Sequence, residues 1–340
     1  MAAAKRSGSR EDDIRPSPFH AGEAAVQERC GVRERVEQIG HAIIHDVMPL
    51  QHRELFARLP TVIVGSLDAD RKPWASVLAG DPGFLRASDE RTLYIAARPD
   101  RGDPLGDRLA VGIPLGLLGI EPSTRRRNRM NGTVTAVDDE GFTVSVDQSF
   151  GNCPQYIQAR RPEWRREPAD RRWPVAVEAT AGRLSGRARE LVTAADTLFI
   201  ASASPHARGR GGADGVDVSH RGGKPGFVRV TTAPGGGPSV LTLPDFRGNF
   251  LFNTLGNIAA FPRAGLLFID FTSGDLLQVT GQAEIVWEGP ELESFAGAQR
   301  LLVVTVEKAL RRPGALPLRW SEPEFASQLE DTGAWVDPLP

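Results

Sequence analysis

Cysteine is nearly absent from this 340-residue chain. Cys30 and Cys153 are the only two. They lie far apart in unlike contexts, so they frame neither a disulfide scaffold nor a zinc knuckle. A reducing, cytoplasmic setting is the expectation. Long apolar runs are missing as well: none approaches the roughly 18 residues of a membrane-spanning helix. The stretch MAAAKRSGSREDDIRPSP carries basic residues but no apolar h-region, so no secretory signal is expected. One-sided charge is lacking too. With 41 Lys and Arg against 43 Asp and Glu, the formal net charge is -2, which excludes a global basic surface for wrapping nucleic acid.

Several catalytic signatures are also missing. There is no G-x-S-x-G elbow, and Cys153 has no evident His partner in sequence. GRGGADG (209–215) does not fit G-x-G-x-x-G between a strand and a helix. SHRGGKPG has Gly-Lys followed by Pro, where a Walker A loop needs Ser or Thr. His41 and His45 stand four apart, but Ala42 occupies the place of a zincin's Glu, so no metal site is expected. Arg125, Arg126, Arg127 and Arg129 lack flanking aromatics, and an anion-binding or solvated strand suits them better than a nucleic-acid patch.

What the chain does have is 36 glycines and 26 prolines. That density is well above the ordinary combined usage of about 12% and argues against a helical bundle or coiled coil. Hydrophobic residues at 40% supply a core and exclude wholesale disorder. The length is a prior for two domains.

From Gly22 to Pro49 the apolar positions Val32, Val36, Ile39, Ile43 and Val47 recur at helical spacing. After Pro60 the pattern changes to short runs rich in β-formers, punctuated by Gly, Pro or Asp: TVIVGSL, PWASVLAG, GFLRA, TLYIAA, PLGLLGIE, GTVTAVD and FTVSVDQ. Such spacing predicts a small antiparallel sheet or barrel. A connector rich in Arg, Pro and Trp follows, then a short helix near 187–195. A second series of strands begins at Thr197.

The second series repeats the first. Ala75 to Leu85 (ASVLAGDPGFL) and Val218 to Val228 (VSHRGGKPGFV) coincide at five of eleven positions. Leu117 to Val137 lies over Leu266 to Val286 without a gap, and Thr61-Val62-Ile63-Val64 lies over Thr197-Leu198-Phe199-Ile200. The period is far too long for a solenoid.

A duplicated domain keeps its chemistry in one copy or at the seam, so the differences between copies carry the information. His220, Arg221 and Lys224 lie over Val77, Leu78 and Asp81, and Asn253 and Thr254 over Pro104 and Leu105. The second copy therefore gathers anion-friendly groups where the first is neutral or negative. Asn253 and Thr254 open a short helix between two strands and are read as its N-cap and first turn, a ready phosphate site. Arg221 or Lys224 supplies the counter-charge. The alternative is a solvated hairpin beside an ordinary helix cap.

The run GVDVSHRGGKPGFVRV, with LTLPDFRGNFLFNTLGNIAAFPRAGLLFIDFTSGDLLQVTGQAEIVWE, resembles the pyridoxamine 5'-phosphate oxidase-like flavoproteins. FHAGE, GVRERVEQIG, RRRNRMNG and DQSFGNCPQYIQAR resemble a tandem-barrel, flavin-nucleotide-binding subgroup of that family. The likeness runs from about Phe19 to Trp320. It implies a mainly β (α+β) fold: two tandem FMN-binding split β-barrels with short peripheral helices, forming an intramolecular pseudo-dimer. Residues 1–18 would be a disordered tail, 19–58 a helical segment, 59–160 the first barrel, 161–196 a connector and helix, 197–320 the second, flavin-binding barrel, and 321–340 a tail.

The resemblance further implies an FMN-dependent oxidoreductase with its flavin at the seam, FAD or F420 being less favoured cofactors. Phosphate would fall to Ser219, His220, Arg221, Lys224, Asn253 and Thr254. Family members often carry Ser, Arg or Lys where this chain has Asn253-Thr254, which shifts weight to Arg221 and Lys224. Asp270 and Gln278 would reach the flavin edge. Arg127, Arg129, Asn131, Gln148, Asn152 and Gln155 would come from the first copy. Tyr156 and His220 are the proton-transfer candidates, His because it titrates near neutrality. The partners would be a small-molecule substrate and a reduced nicotinamide or other electron donor, with no nucleic acid or membrane, and a second copy of the chain is a candidate partner. A flavin carrier or sensor, an F420- or haem-binding barrel, and a degenerate barrel that binds a partner remain the alternatives.

Overall fold

The structure is a computed structural model, and it describes residues 16–165, 176–184, 186–207 and 212–335. Part of the expected connector and the distal parts of both expected tails lie outside those residues. The chain is mainly β with short helices. Among the described residues, no helix is long and apolar enough to cross a membrane.

The N-terminal helical pattern resolves into three helices, α1 (Ala21–Arg29), α2 (Arg33–Ile43) and α3 (Leu50–Arg58). A break at Gly31, with φ 67°, separates the first two. The left-handed backbone there suits glycine and lies in the three-residue link between the end of α1 and the start of α2. His20 caps α1 reciprocally with Glu23: the His20 ring accepts from Gly22 N–H at 3.0 Å and Glu23 accepts from His20 N–H at 2.9 Å.

Seven strands follow: β1 (Thr61–Leu67), β2 (Pro73–Ala79), β3 (Leu85–Ala87), β4 (Thr92–Ile95), β5 (Pro114–Glu121), β6 (Arg126–Val137) and β7 (Phe142–Gly151). They pair antiparallel in the order β2-β1-β5-β6-β7-β4-β3. The short strands β8 (Pro162–Trp164) and β9 (Glu178–Ala181) and the helix α4 (Gly186–Ala194) cross to the second half.

That half contains β10 (Thr197–Ala203), β11 (Val216–Gly222), β12 (Arg229–Thr232), β13 (Ser239–Phe246), α5 (Asn253–Ala260), β14 (Arg263–Ile269), β15 (Leu276–Val286), α6 (Pro290–Glu293), β16 (Ala298–Arg312) and β17 (Leu318–Trp320). Its main sheet runs β11-β10-β14-β15-β16-β13-β12 with β9 added on β16. Counted from the first strand of each half, the two orders are the same. Neither path of described strands closes on itself, so the expected barrels appear here as open antiparallel sheets.

Each sheet has its own apolar core, and a third core lies between them. The seam is reciprocal. A Cβ on Gly116 of β5 would stand 2.5 Å from the Val216 carbonyl oxygen of β11, and one on Gly265 of β14 would stand 2.4 Å from the Pro73 carbonyl oxygen of β2. Gly116 and Gly265 are equivalent in the repeat, as are Pro73 and Val216. This is the contact pattern of a two-fold interface, in which one patch meets its own copy. Residues 321–335, read from sequence as part of a tail, pack back on the second half: Trp335 Nε1 donates to Phe227 O at 2.9 Å.

Candidate functional site

An open cleft lies where β6 and the 152–156 loop of the first half meet β11, β13 and the start of α5. Five guanidinium groups line it, from Arg127, Arg129, Arg221, Arg247 and Arg300, against the single lining carboxylate of Asp245. Arg221 ion-pairs with Asp245, and Arg300 Nε lies 3.2 Å from the same carboxylate. Arg129 donates to Asn253 Oδ1 at 3.0 Å and lies 3.6 Å from Asp217, which also accepts from Asn131 at 2.7 Å and Asn257 at 2.8 Å.

Arg127 has no carboxylate partner among the described residues. It donates to Cys153 O at 2.9 Å and to His220, whose Nδ1 is 3.3 Å away. Burial, then the neighbouring Arg129 charge, push its guanidinium down to about 9. It stays protonated at neutral pH, so the cost of burying that charge stands as an unmet demand for an anion. Two more donors point the same way. Arg221 Nε and Asn152 Nδ2 line the cleft, are buried and have no partner among the described residues.

Aromatic surface completes the cleft. The Tyr156 and Phe246 rings stack with centroids 5.1 Å apart, and Phe250 and Phe252 stand beside them. Tyr156, Phe250 and Phe252 all have positive φ, at 61°, 62° and 61°. Bulky side chains rarely adopt this conformation, and such strain gathers at binding sites. Burial raises the Tyr156 phenol, which is therefore a neutral hydrogen-bonding group at physiological pH.

Of the residues expected at the site, Arg127, Arg129, Asn152, Gln155, Tyr156, Ser219, His220, Arg221, Asn253 and Thr254 all line this one cleft. Five others are elsewhere. Lys224 donates to Thr332 O at 2.6 Å and anchors the C-terminal segment. Asp270 pairs with Arg187 and caps the turn at Thr272 and Ser273. Gln278 is fully buried in the seam, where it donates to Ala75 O at 3.0 Å and Ser76 Oγ at 3.1 Å. Asn131 is committed to Asp217, and Gln148 donates to Pro18 O at 2.9 Å.

Two expected roles change. Asn253 does not cap α5: the cap position is Phe252, and Asn253 and Thr254 are the first helical residues. Their side chains are engaged, Asn253 with Glu23 and Arg129, Thr254 with Ser219 at 3.1 Å. The first-turn N–H groups of α5 still take no intrahelical partner, as at any helix start. His220 does not titrate near neutrality. Burial, then Arg127, then Arg221 drive its imidazole well below 6.5, so it is neutral there.

Sequence reasoning missed Arg247, Arg300 and Asp245. A lone charge at the end of a strand reads as solvated, and no repeat mismatch marked these three. Among the described residues, no group of three His, Cys, Asp or Glu side chains is placed to hold a metal ion.

No family model matches the chain, and no curated protein matches it. Among solved structures, HupZ of Group A Streptococcus is 14% identical, with 35% of this chain and 86% of that one covered and a TM-score of 0.26. A variant of the same protein is 12% identical, with 37% and 98% covered and a TM-score of 0.28. MrkH of K. pneumonia in complex with c-di-GMP is 10% identical, with 78% and 87% covered and a TM-score of 0.23. These overlays are too loose to carry an argument about this chain.

Proposed function

We propose that the chain is an FMN-dependent oxidoreductase, built as two fused split barrels that form an internal pseudo-dimer, with FMN in the arginine-lined cleft at the seam. The observation that carries this reading is Arg127, a guanidinium held without a carboxylate in a cleft where cations outnumber carboxylates. The cleft needs a ligand that brings negative charge and a flat aromatic surface. FMN has both, and the cleft is open enough to leave part of a ligand in solvent.

Arg127, Arg129 and Arg221 would hold the phosphate, aided by the Ser219 and Thr254 hydroxyls and the first turn of α5. Tyr156 and Phe246 offer ring faces, and the spare Asn152 Nδ2 offers a donor for a ring carbonyl. Bound flavin supplies hydride transfer at its N5. The protein's part is to bind, orient and exclude water. The Tyr156 phenol is a polar neighbour that donates a hydrogen bond without carrying charge, while neutral His220 accepts from Arg127. The expected partners are a small-molecule substrate and a reduced nicotinamide or other electron donor.

The test is anaerobic mixing of the FMN-loaded protein with NADH, NADPH and a deazaflavin donor. Bleaching of the flavin absorbance by at least one donor is expected. A loaded protein that no donor reduces would be a carrier and not an oxidoreductase.

A further inference from the structure

A second cavity, of about 140 Å3, shares His220 with the cleft. Its walls come in equivalent pairs from the two halves: Ile63 with Phe199, Ile120 with Ile269, and Val77 with His220. It therefore opens within the apolar core that the two sheets share. The lining is mostly apolar, and the symmetry is broken where His220 stands in place of valine.

At the rim stand the exposed Arg58 and Ser123 and the half-buried Glu121, which accepts from Thr124; deeper in, Gln158, Arg160 and Thr197 are engaged within the protein. Gln158 donates to Tyr156 O at 3.2 Å and accepts from Ala326 N–H at 2.9 Å. Arg160 is ion-paired with Asp196, which also accepts from Thr197 at 2.8 Å. His220 differs. A guanidinium N–H only donates, so Nδ1 facing Arg127 at 3.3 Å is the acceptor and the ring proton sits on Nε2. Nε2 makes no hydrogen bond to the described residues.

We propose that this cavity is a second small-molecule site, for an uncharged, largely apolar molecule of one ring that carries one hydrogen-bond acceptor, such as a carbonyl oxygen. The apolar pairs hold the ring, and His220 Nε2–H takes the acceptor. Ionic ligands are disfavoured by desolvation among the apolar pairs, because Asp196 already neutralises Arg160 and the other cation of the lining, Arg58, stands exposed at the rim. The size is that of an apolar cavity that holds one benzene-sized ring, about 150 Å3.

The inference stands apart from the flavin reading, and its test uses no flavin. The full chain is titrated with 4-fluoroacetophenone and followed by the probe's own 19F resonance. A saturable shift is expected, unaffected by inorganic phosphate. 4-Fluorobenzoate, of the same size but charged, should bind at least ten-fold more weakly. Ile269→Trp and, on the other wall, Phe199→Trp should each fill the space and abolish the shift. His220→Val should erase the preference for the ketone over 4-fluorotoluene. The proposal is overturned by a shift that does not saturate, by displacement with phosphate, by equal affinity for the benzoate, or by survival of binding in a folded tryptophan variant. The wild-type titrations decide the matter even where a tryptophan variant fails to fold.

Discussion

At the residue scale, charge and burial act on the same few side chains. Removing Arg127 removes a charge-assisted contact of about 1.5–3 kcal/mol. Arg127→Ala should therefore weaken FMN roughly ten- to hundred-fold while leaving riboflavin, which has no phosphate, unchanged. Fluorescence-quenching titrations with both ligands check this. Neutral His220 has a second consequence. Its folded pKa lies below the unfolded value of about 6.5, so between the two the unfolded chain holds the extra proton. Stability should fall as pH drops below about 6.5. His20 and His52, also lowered by burial, add to the fall. Glu23 acts in the opposite sense: burial raises its carboxyl, so its contribution is lost as pH rises from about 4.5 through the folded value. Urea midpoints for His220→Val should decline less steeply on acidification than those of the wild type. Parallel declines would mean that His220 is not the buried neutral group described here.

At the element scale, α1 crosses α5 so closely that only glycine fits on both sides. A Cβ on Gly256 would lie 2.5 Å from the Glu23 backbone nitrogen, and one on Gly22 would lie 2.3 Å from the Gly256 carbonyl oxygen. Gly256→Ala should cost about 1–3 kcal/mol in urea denaturation. It should also weaken phosphate-bearing ligands, because this crossing holds Glu23 on Asn253 and Asn253 on Arg129. Strands were legible in the sequence because Gly, Pro and Asp bound them. Their ends were not. β16 continues past the apolar run to Arg312, where its charged residues find partners instead of water: Arg311 with Glu178 and Asp275, and Arg312 with Asp103. The helical run expected from Gly22 to Pro49 became α1 and α2: Gly31 breaks it before the periodic positions begin at Val32, and α2 ends at Ile43, leaving Val47 outside it.

At the scale of the whole molecule, duplication explains both what was legible and what was not. Mismatch between the copies exposed His220 and Arg221. It misdirected the reading at Lys224, a cation that serves only the C-terminal segment. Chain-distant residues such as Arg300 joined the cleft through strand order, which no local pattern records. The repeat also places a counterpart of the cleft in the first half. There Leu276 replaces Arg127, Gln278 replaces Arg129, and Val77 and Leu78 replace His220 and Arg221. Val77, Leu78 and Leu276 line an open cleft that also receives Asp100. Behind it the nearly inaccessible Arg312 pairs with Asp103 and Asp100 at 2.8 Å each, so its charge is already met within the protein. One copy asks for an anion and the other does not.

Calorimetric titration of the full chain with FMN, and in parallel with riboflavin, tests that central claim most directly. The account predicts one FMN per chain, with riboflavin at least ten-fold weaker. Absence of saturable FMN binding, two equal sites, or equal affinity for riboflavin would contradict it.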